Sequence, residues 1–160
     1  MKRSVTRIFG LIAIAGTCLL LCTIASCGKS GVEAAESEQT DGSGTFRIDG
    51  VEYRGTSSVQ TFINGNYSIV CEQDAPYKLI QITFHNQAEA EKGGSFKAAE
   101  YEMDIPSGKA NIGIDGLTFD PEGDYTINVS AKKITLGALK LKQTGASDRT
   151  VSIQSATVSF

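Results

Sequence analysis

The sequence predicts an all-β domain: an antiparallel β-sandwich or small β-barrel of about eight to ten strands with one short connecting helix. Three observations predict it. From Thr45 onward apolar residues recur with a period of two. The segments that alternate are bounded by Asp-Gly, Asn-Gly and other glycine-rich turn signals. Only residues 86–92 (NQAEAEK) gather helix formers, and Gly93-Gly94 stops them after about two turns, so the helix is a connection and not a layer.

Taken in order, Phe46 and Ile48, then Val51 and Tyr53, flank Asp49-Gly50, a pair that enters positive φ readily and favours a tight hairpin. Residues 59–63 lead into Asn64-Gly65-Asn66, beyond which Tyr67, Ile69 and Cys71 alternate as a second hairpin. Residues 79–84 place Ile80, Ile82 and Phe84 on one side. Further strands are expected over 96–103, 110–114 and 117–119, the last behind Asp115-Gly116. Tyr125, Ile127, Val129 and Ala131 then share a face. In the final two strands the apolar parity switches: Ile134 and Leu136 give way to Leu139 and Leu141 around Gly137, and Val151 and Ile153 give way to Ala156, Val158 and Phe160 near Ser155. Two bulged, bent neighbours would do this, as a barrel corner requires; burial of both faces at one end is the alternative.

A faint echo links residues 46–53 (FRIDGVEY) to 112–119 (IGIDGLTF), and 65–70 (GNYSIV) to 123–128 (GDYTIN). Repeated use of one hairpin chemistry accounts for it better than duplication.

The amino end has a different character. Lys2, Arg3 and Arg7 precede an uncharged run, residues 8–26 (IFGLIAIAGTCLLLCTIAS), that ends in small residues. A basic head, an apolar middle and a small-residue exit make a secretory signal, with an uncleaved membrane anchor and ordinary cleaved secretion as the competing readings. Ile24-Ala25-Ser26-Cys27 resembles the lipobox of bacterial lipoproteins, with Ile where Leu is commoner. The resemblance covers about the first 30 residues. It implies cleavage before Cys27, thioether lipidation of its sulfur and acylation of the new amino terminus. Several acyl chains would hold the protein to a membrane stably. Gly28 rather than Asp after the cysteine implies, by likeness to enteric lipoproteins, the outer membrane, with the leaflet open.

The expected organisation is therefore residues 1–26 as signal peptide, 27–44 as a flexible acidic tether, and 45–160 as a single all-β domain. Residues 28–44 (GKSGVEAAESEQTDGSG) hold one large apolar residue, too little to offset the entropy of ordering. Without the signal the chain keeps 12 of its 15 basic residues and all 18 acidic ones, a formal charge of −6, which disfavours nucleic acid as a partner.

Chemistry is sparse. Of the four cysteines, Cys18 and Cys22 leave with the signal and Cys27 takes the lipid. Cys71 then reads as a small buried apolar residue. His85 is the single histidine, expected exposed at a strand end, with no triad around it. P-loop, nucleophile-elbow and Rossmann patterns are missing, as is any zinc-ligand cluster. Asp115, Asp120, Glu122 and Asp124 (DGLTFDPEGD) crowd ten residues and could offer oxygen ligands to calcium, though turn chemistry explains them equally. Glu100 and Glu102, alternate residues on an expected strand face, are the nearest thing to a glycosidase pair. Tyr77, after Pro76, is the tyrosine expected to be exposed. The terminal Phe160 hints at a membrane β-barrel, but strands shorter than a membrane span argue against one.

These readings converge on a non-enzymatic envelope protein without cofactors, joined to the membrane through its lipid and presenting its domain to a protein or small ligand. A lipocalin-like carrier of an apolar ligand is one alternative. A structural subunit of an envelope or fimbrial assembly that works by β-strand addition is another.

Overall fold

The computed structural model describes residues 37–160 except Ser147, with side chains from Gly42 onward. The expected signal peptide, Cys27 and the first part of the expected tether lie outside the described residues. Eleven strands and one helix follow in order: β1 (Ser37–Ile48), β2 (Val51–Thr61), β3 (Tyr67–Gln73), β4 (Lys78–Phe84), α1 (Gln87–Lys92), β5 (Gly94–Ala98), β6 (Lys109–Ile114), β7 (Leu117–Pro121), β8 (Thr126–Ser130), β9 (Lys133–Leu136), β10 (Leu139–Gln143) and β11 (Thr150–Ser159).

The strands form one sheet that closes on itself. Nine of them run β1-β2-β3-β4-β6-β5-β8-β9-β11, and β11 returns to β1, so the fold is a small barrel and not a sandwich. A closed ring must contain an even number of antiparallel steps, so nine strands demand a parallel pair. It is β5 against β6, through Lys97↔Lys109 and Ala98↔Ala110. The two extra strands branch from this wall. β6 passes its edge from β5 to β7 at residues 112–114, β11 passes its edge from β9 to β10 at residues 150–153, and β7 pairs with β10. The wall is thus β5-β8-β9 toward one end and β7-β10 toward the other. Every described strand has a neighbour on each edge over part of its length, but residues 37–43 of β1 pair with β2 alone, so a short open edge remains at the start of the sheet.

The parity switches of the last strands mark one shared corner. β9 and β10 lie in line along β11, with Leu136 facing Ala156 and Leu139 facing Ile153. The ladder breaks only at Gly137-Ala138 and, directly opposite, at Gln154-Ser155. Both strands rotate there together, so Ile134, Leu136, Leu139 and Leu141 are all buried, as are Val151, Ile153, Ala156 and Val158. On the other edge of β11 the register against β1 slips between Arg47 and Ile48, a bulge at the same level.

Inside, alternate residues of each strand meet in one apolar cluster. Phe46, Phe84 and Phe119 are fully buried among Ile69, Ile80, Ile82, Ile127 and Leu141. Phe84 and Phe96 pack edge to face at 4.8 Å, and Phe46 stacks on Tyr53 at 5.4 Å, geometries that suit the ring quadrupole. Phe160 packs against this core at 6.4 Å from Tyr67.

Three expectations are corrected here. The ordered sheet begins at Ser37, so the last eight residues assigned to the tether are strand, paired with β2 from Ser37↔Gln60 to Ile48↔Val51. Glycines that look like linker composition are there because the backbones approach closely. A Cβ on Gly44 would lie 2.6 Å from Cys71 Sγ and 3.1 Å from the Thr157 carbonyl oxygen, and one on Gly42 would overlap Ser57 Oγ and the Ser159 carbonyl. The second correction concerns residues 96–103, where β5 stops at Ala98 and the chain runs irregularly to residue 108. Ala131 is likewise in a turn and not on the face of Val129.

The turns explain the echo. Asp49-Gly50 and Asp115-Gly116 both adopt positive φ at both residues, 49° and 84° in one and 53° and 76° in the other, the type I′ geometry of two-residue hairpins. The β8-β9 hairpin uses the same turn with Ala131 and Lys132, at 50° and 56°. Neither side chain suits that region. Helix α1 is bounded as expected: Asn86 Oδ1 accepts from the Glu89 amide at 2.9 Å, and Gly93 closes the helix at φ 74°.

Replacing Ala131-Lys132 with Asn-Gly should stabilise the domain by about 1–2 kcal/mol, read from the urea midpoint at unchanged slope. The exposed Lys132–Glu91 ion pair lost with it contributes little. Gly44→Ala should destabilise by about 1–3 kcal/mol through overpacking. Gly137→Ala, which meets nothing within 4 Å, should be neutral in the same denaturation series.

Candidate functional site

The irregular run after β5 is held as a strap across the outside of β3, β4 and β6, and polar side chains from around it pin its backbone almost residue by residue. Asp120 Oδ1, on β7, accepts from the Tyr101 amide at 2.8 Å and from Thr144 Oγ1 at 2.9 Å. Asn111 Nδ2, on β6, donates to the Glu102 carbonyl at 3.1 Å. Asn64 and Asn66, from the β2-β3 turn, both donate to the Met103 carbonyl, at 2.6 and 2.7 Å. Asn64 also reaches Asp104 Oδ1 at 3.3 Å. His85 Nδ1 meets the Ile105 carbonyl at 2.7 Å. Glu89, in α1, accepts from Ser107 Oγ and, at 3.2 Å, from the Gly108 amide.

Under the strap the outward positions of the sheet are polar and buried. Thr83 Oγ1 donates to Ser68 Oγ at 3.1 Å, and Thr83 stands opposite Asn111 in the β4-β6 ladder. Asn111 Oδ1 is buried with no partner among the described residues. Ile105 is buried too, outside the apolar cluster of the barrel core. A segment pinned in this way loses little further freedom when something binds it.

The strap and the adjoining β2-β3 turn display large apolar side chains to solvent. Ile63 is 85% exposed, Met103 74% and Tyr101 47%. Carboxylates of Glu100, Glu102 and Asp104 alternate with them, all exposed. The remaining exposed large apolar residues, Val51, Tyr77 and Leu117, lie beside the β1-β2, β3-β4 and β6-β7 turns at the opposite end of the barrel. Tyr77 is thus exposed as expected.

The other candidate residues are accounted for by local structure. Asp115, Asp120, Glu122 and Asp124 are strung along β7 and the turns that flank it, about 16 Å of strand separating the ends. Asp115 takes Lys78 Nζ at 2.7 Å and the Leu79 amide at 3.1 Å, and Asp124 pairs with Lys97 at 2.6 Å. Among the described residues no group of three His, Cys, Asp or Glu side chains is placed to hold a metal ion. Glu100 and Glu102 do not share a strand face, because that segment is strap; Lys109 lies 3.7 Å from Glu102. Cys71 is fully buried, and desolvation pushes its thiol up to about 11 against a smaller opposing hydrogen bond from Gly55, so it stays a thiol at neutral pH.

Sequence reasoning saw Asp120 and His85 but gave neither its task of pinning the strap. It missed Asn64, Asn66 and Asn111. The asparagines near Gly65 carried only a turn signal, and Asn111 occupies an outward strand position that ordinarily faces water.

The Glu89 contact carries a pH dependence. Its carboxyl is held below the ordinary glutamate value, first by the Ser107 hydroxyl and then, against some desolvation, by the Gly108 amide and nearby cations. A depressed folded value means that the pin is fully present above the unfolded carboxylate range and is lost as the pH falls through the folded one. Hydrogen-exchange protection of the Gly108 amide, corrected for intrinsic rates, should fall on acidification below that range. In Glu89→Gln it should be lower at neutral pH and flat with acid. Compared with known protein families, curated proteins and solved structures, the chain has no match.

Proposed function

We propose that this chain is a lipid-anchored, non-enzymatic module of the bacterial cell envelope, most simply of the outer membrane, that acts through its outer surface. The observation that carries the surface part of the reading is the pinned strap, with Ile63, Tyr101 and Met103 exposed on a backbone already ordered by side chains from β6, β7, α1 and the β2-β3 turn. Exposed apolar groups on a pre-organised backbone mark an interaction site more than a catalytic one. The anchor part rests on the lipobox-like Ile24-Ala25-Ser26-Cys27.

The alternatives receive less support. A carrier of apolar ligands needs interior room, and here Phe46, Phe84 and Phe119 converge with the strand-borne isoleucines and leucines in one buried cluster. Strand addition needs a long open edge, and the ring closes through β1 and β11, leaving only residues 37–43 of β1 paired on one side. The titratable groups that catalysis would recruit are committed to pins and ion pairs, and the remaining thiol is buried.

Replacing the anchor residue tests the reading. Cys27→Ser should block processing and shift the chain out of the detergent-soluble lipoprotein fraction, and the wild-type amino-terminal peptide should carry the mass of several acyl chains. Normal processing and continued membrane fractionation of the variant would refute the anchor.

A further inference from the structure

Resting on the lipid-anchor reading, we propose that the Ile63–Tyr101–Met103 crest seats on the phospholipid surface to which Cys27 is attached. The path of the chain is the argument. β1 starts at the crest's end of the barrel, with Ser37 facing Gln60, and Ile63 follows Gln60 by three residues. The chain therefore enters the barrel within about 15 Å of the Ile63 backbone. Ten residue steps separate Cys27 from Ser37, a span of at most about 35 Å. Attachment at this end favours approach of the crest to the bilayer over approach of Val51, Tyr77 and Leu117 at the far end.

The chemistry of the crest fits such a surface. Ile63 and Met103 are apolar knobs of the kind that enter the boundary between headgroups and acyl chains, and Tyr101 combines an apolar ring with a hydroxyl that suits the wet side of that boundary. Glu100, Glu102 and Asp104 flank them, which disfavours a strongly anionic surface and selects zwitterionic headgroups. Three side chains alone would bind weakly. A covalent anchor turns that weak contact into an intramolecular one, and the pins through Asn64, Asn66 and Asp120 hold the knobs ready.

The chain has no tryptophan, so introduced ones report alone. Full-length processed protein carrying Met103→Trp, Ile63→Trp or Tyr77→Trp would be added to preformed phosphatidylcholine vesicles with and without brominated acyl chains, with the mass of the Cys27 peptide measured on the same samples. All three positions are exposed, so the replacements leave the core untouched. Emission from Met103→Trp and Ile63→Trp should shift to the blue and fall about twofold with the brominated lipid, while Tyr77→Trp stays unchanged. Lipidated, vesicle-bound protein with no quenching at either crest position overturns the proposal and leaves the anchor standing. Equal quenching of Tyr77→Trp overturns it in the same way. So does a crest shielded from aqueous acrylamide but not reached by bromine, which would assign that surface to a second copy of the chain. An unmodified Cys27 overturns the anchor and this proposal together.

Discussion

The main-chain ladder between β1 and β11 is the constraint on which the rest of the molecule depends. It joins Gly44 to Val158 and Phe46 to Ala156, and without it the sheet would have two long open edges. Closing it fixes the interior as a narrow space, and that explains the glycines of β1. Gly42 and Gly44 stand where Ser57, Cys71 and the backbone of β11 leave no room for a Cβ. It also explains the corner. A ring of short strands must turn sharply, and the paired breaks at Gly137-Ala138 and Gln154-Ser155 let β11 serve β10 at one level and β9 at the next.

Much of this was legible in the sequence because its cause is local. Period-two alternation located the inward faces of β3, β4 and β8, and the Asp-Gly pairs located two of the turns, since positive φ at two successive residues is a property of the dipeptide itself. The parity switches near Gly137 and Ser155 pointed either to a bend or to burial of both faces at one end, and the paired break in the ladder shows the bend. Sandwich and barrel stayed undistinguished, since closure is decided by which distant strands meet. The amino-terminal half of β1 was misread for a related reason. Glycine and serine look alike whether they serve a loose coil or a crowded contact, and only the partner across the ladder separates the two.

The strap shows the same limit at the site. Its residues alternate charged and apolar from Glu100 to Asp104, the signature of a half-exposed strand, and nothing in that pattern reveals that its carbonyls are taken by Asn111, Asn64, Asn66 and His85. Those side chains come from positions far apart in the chain, so no spacing rule gathers them. In the structure both members of the alternation, the acids as well as Tyr101 and Met103, are exposed. The cluster of acids in 115–124 misleads in the opposite direction: near in sequence, they are set apart because β7 runs straight between them.

Joining β1 to β11 has a kinetic meaning as well. The barrel cannot shut until the two ends of its ordered chain are both present, so most of its apolar faces stay wet while synthesis and any passage across a membrane proceed. Contacts of such long sequence separation form slowly. A chain of this design remains unfolded for longer than a helical one of equal length, which exposes it to aggregation until its last strand is in place.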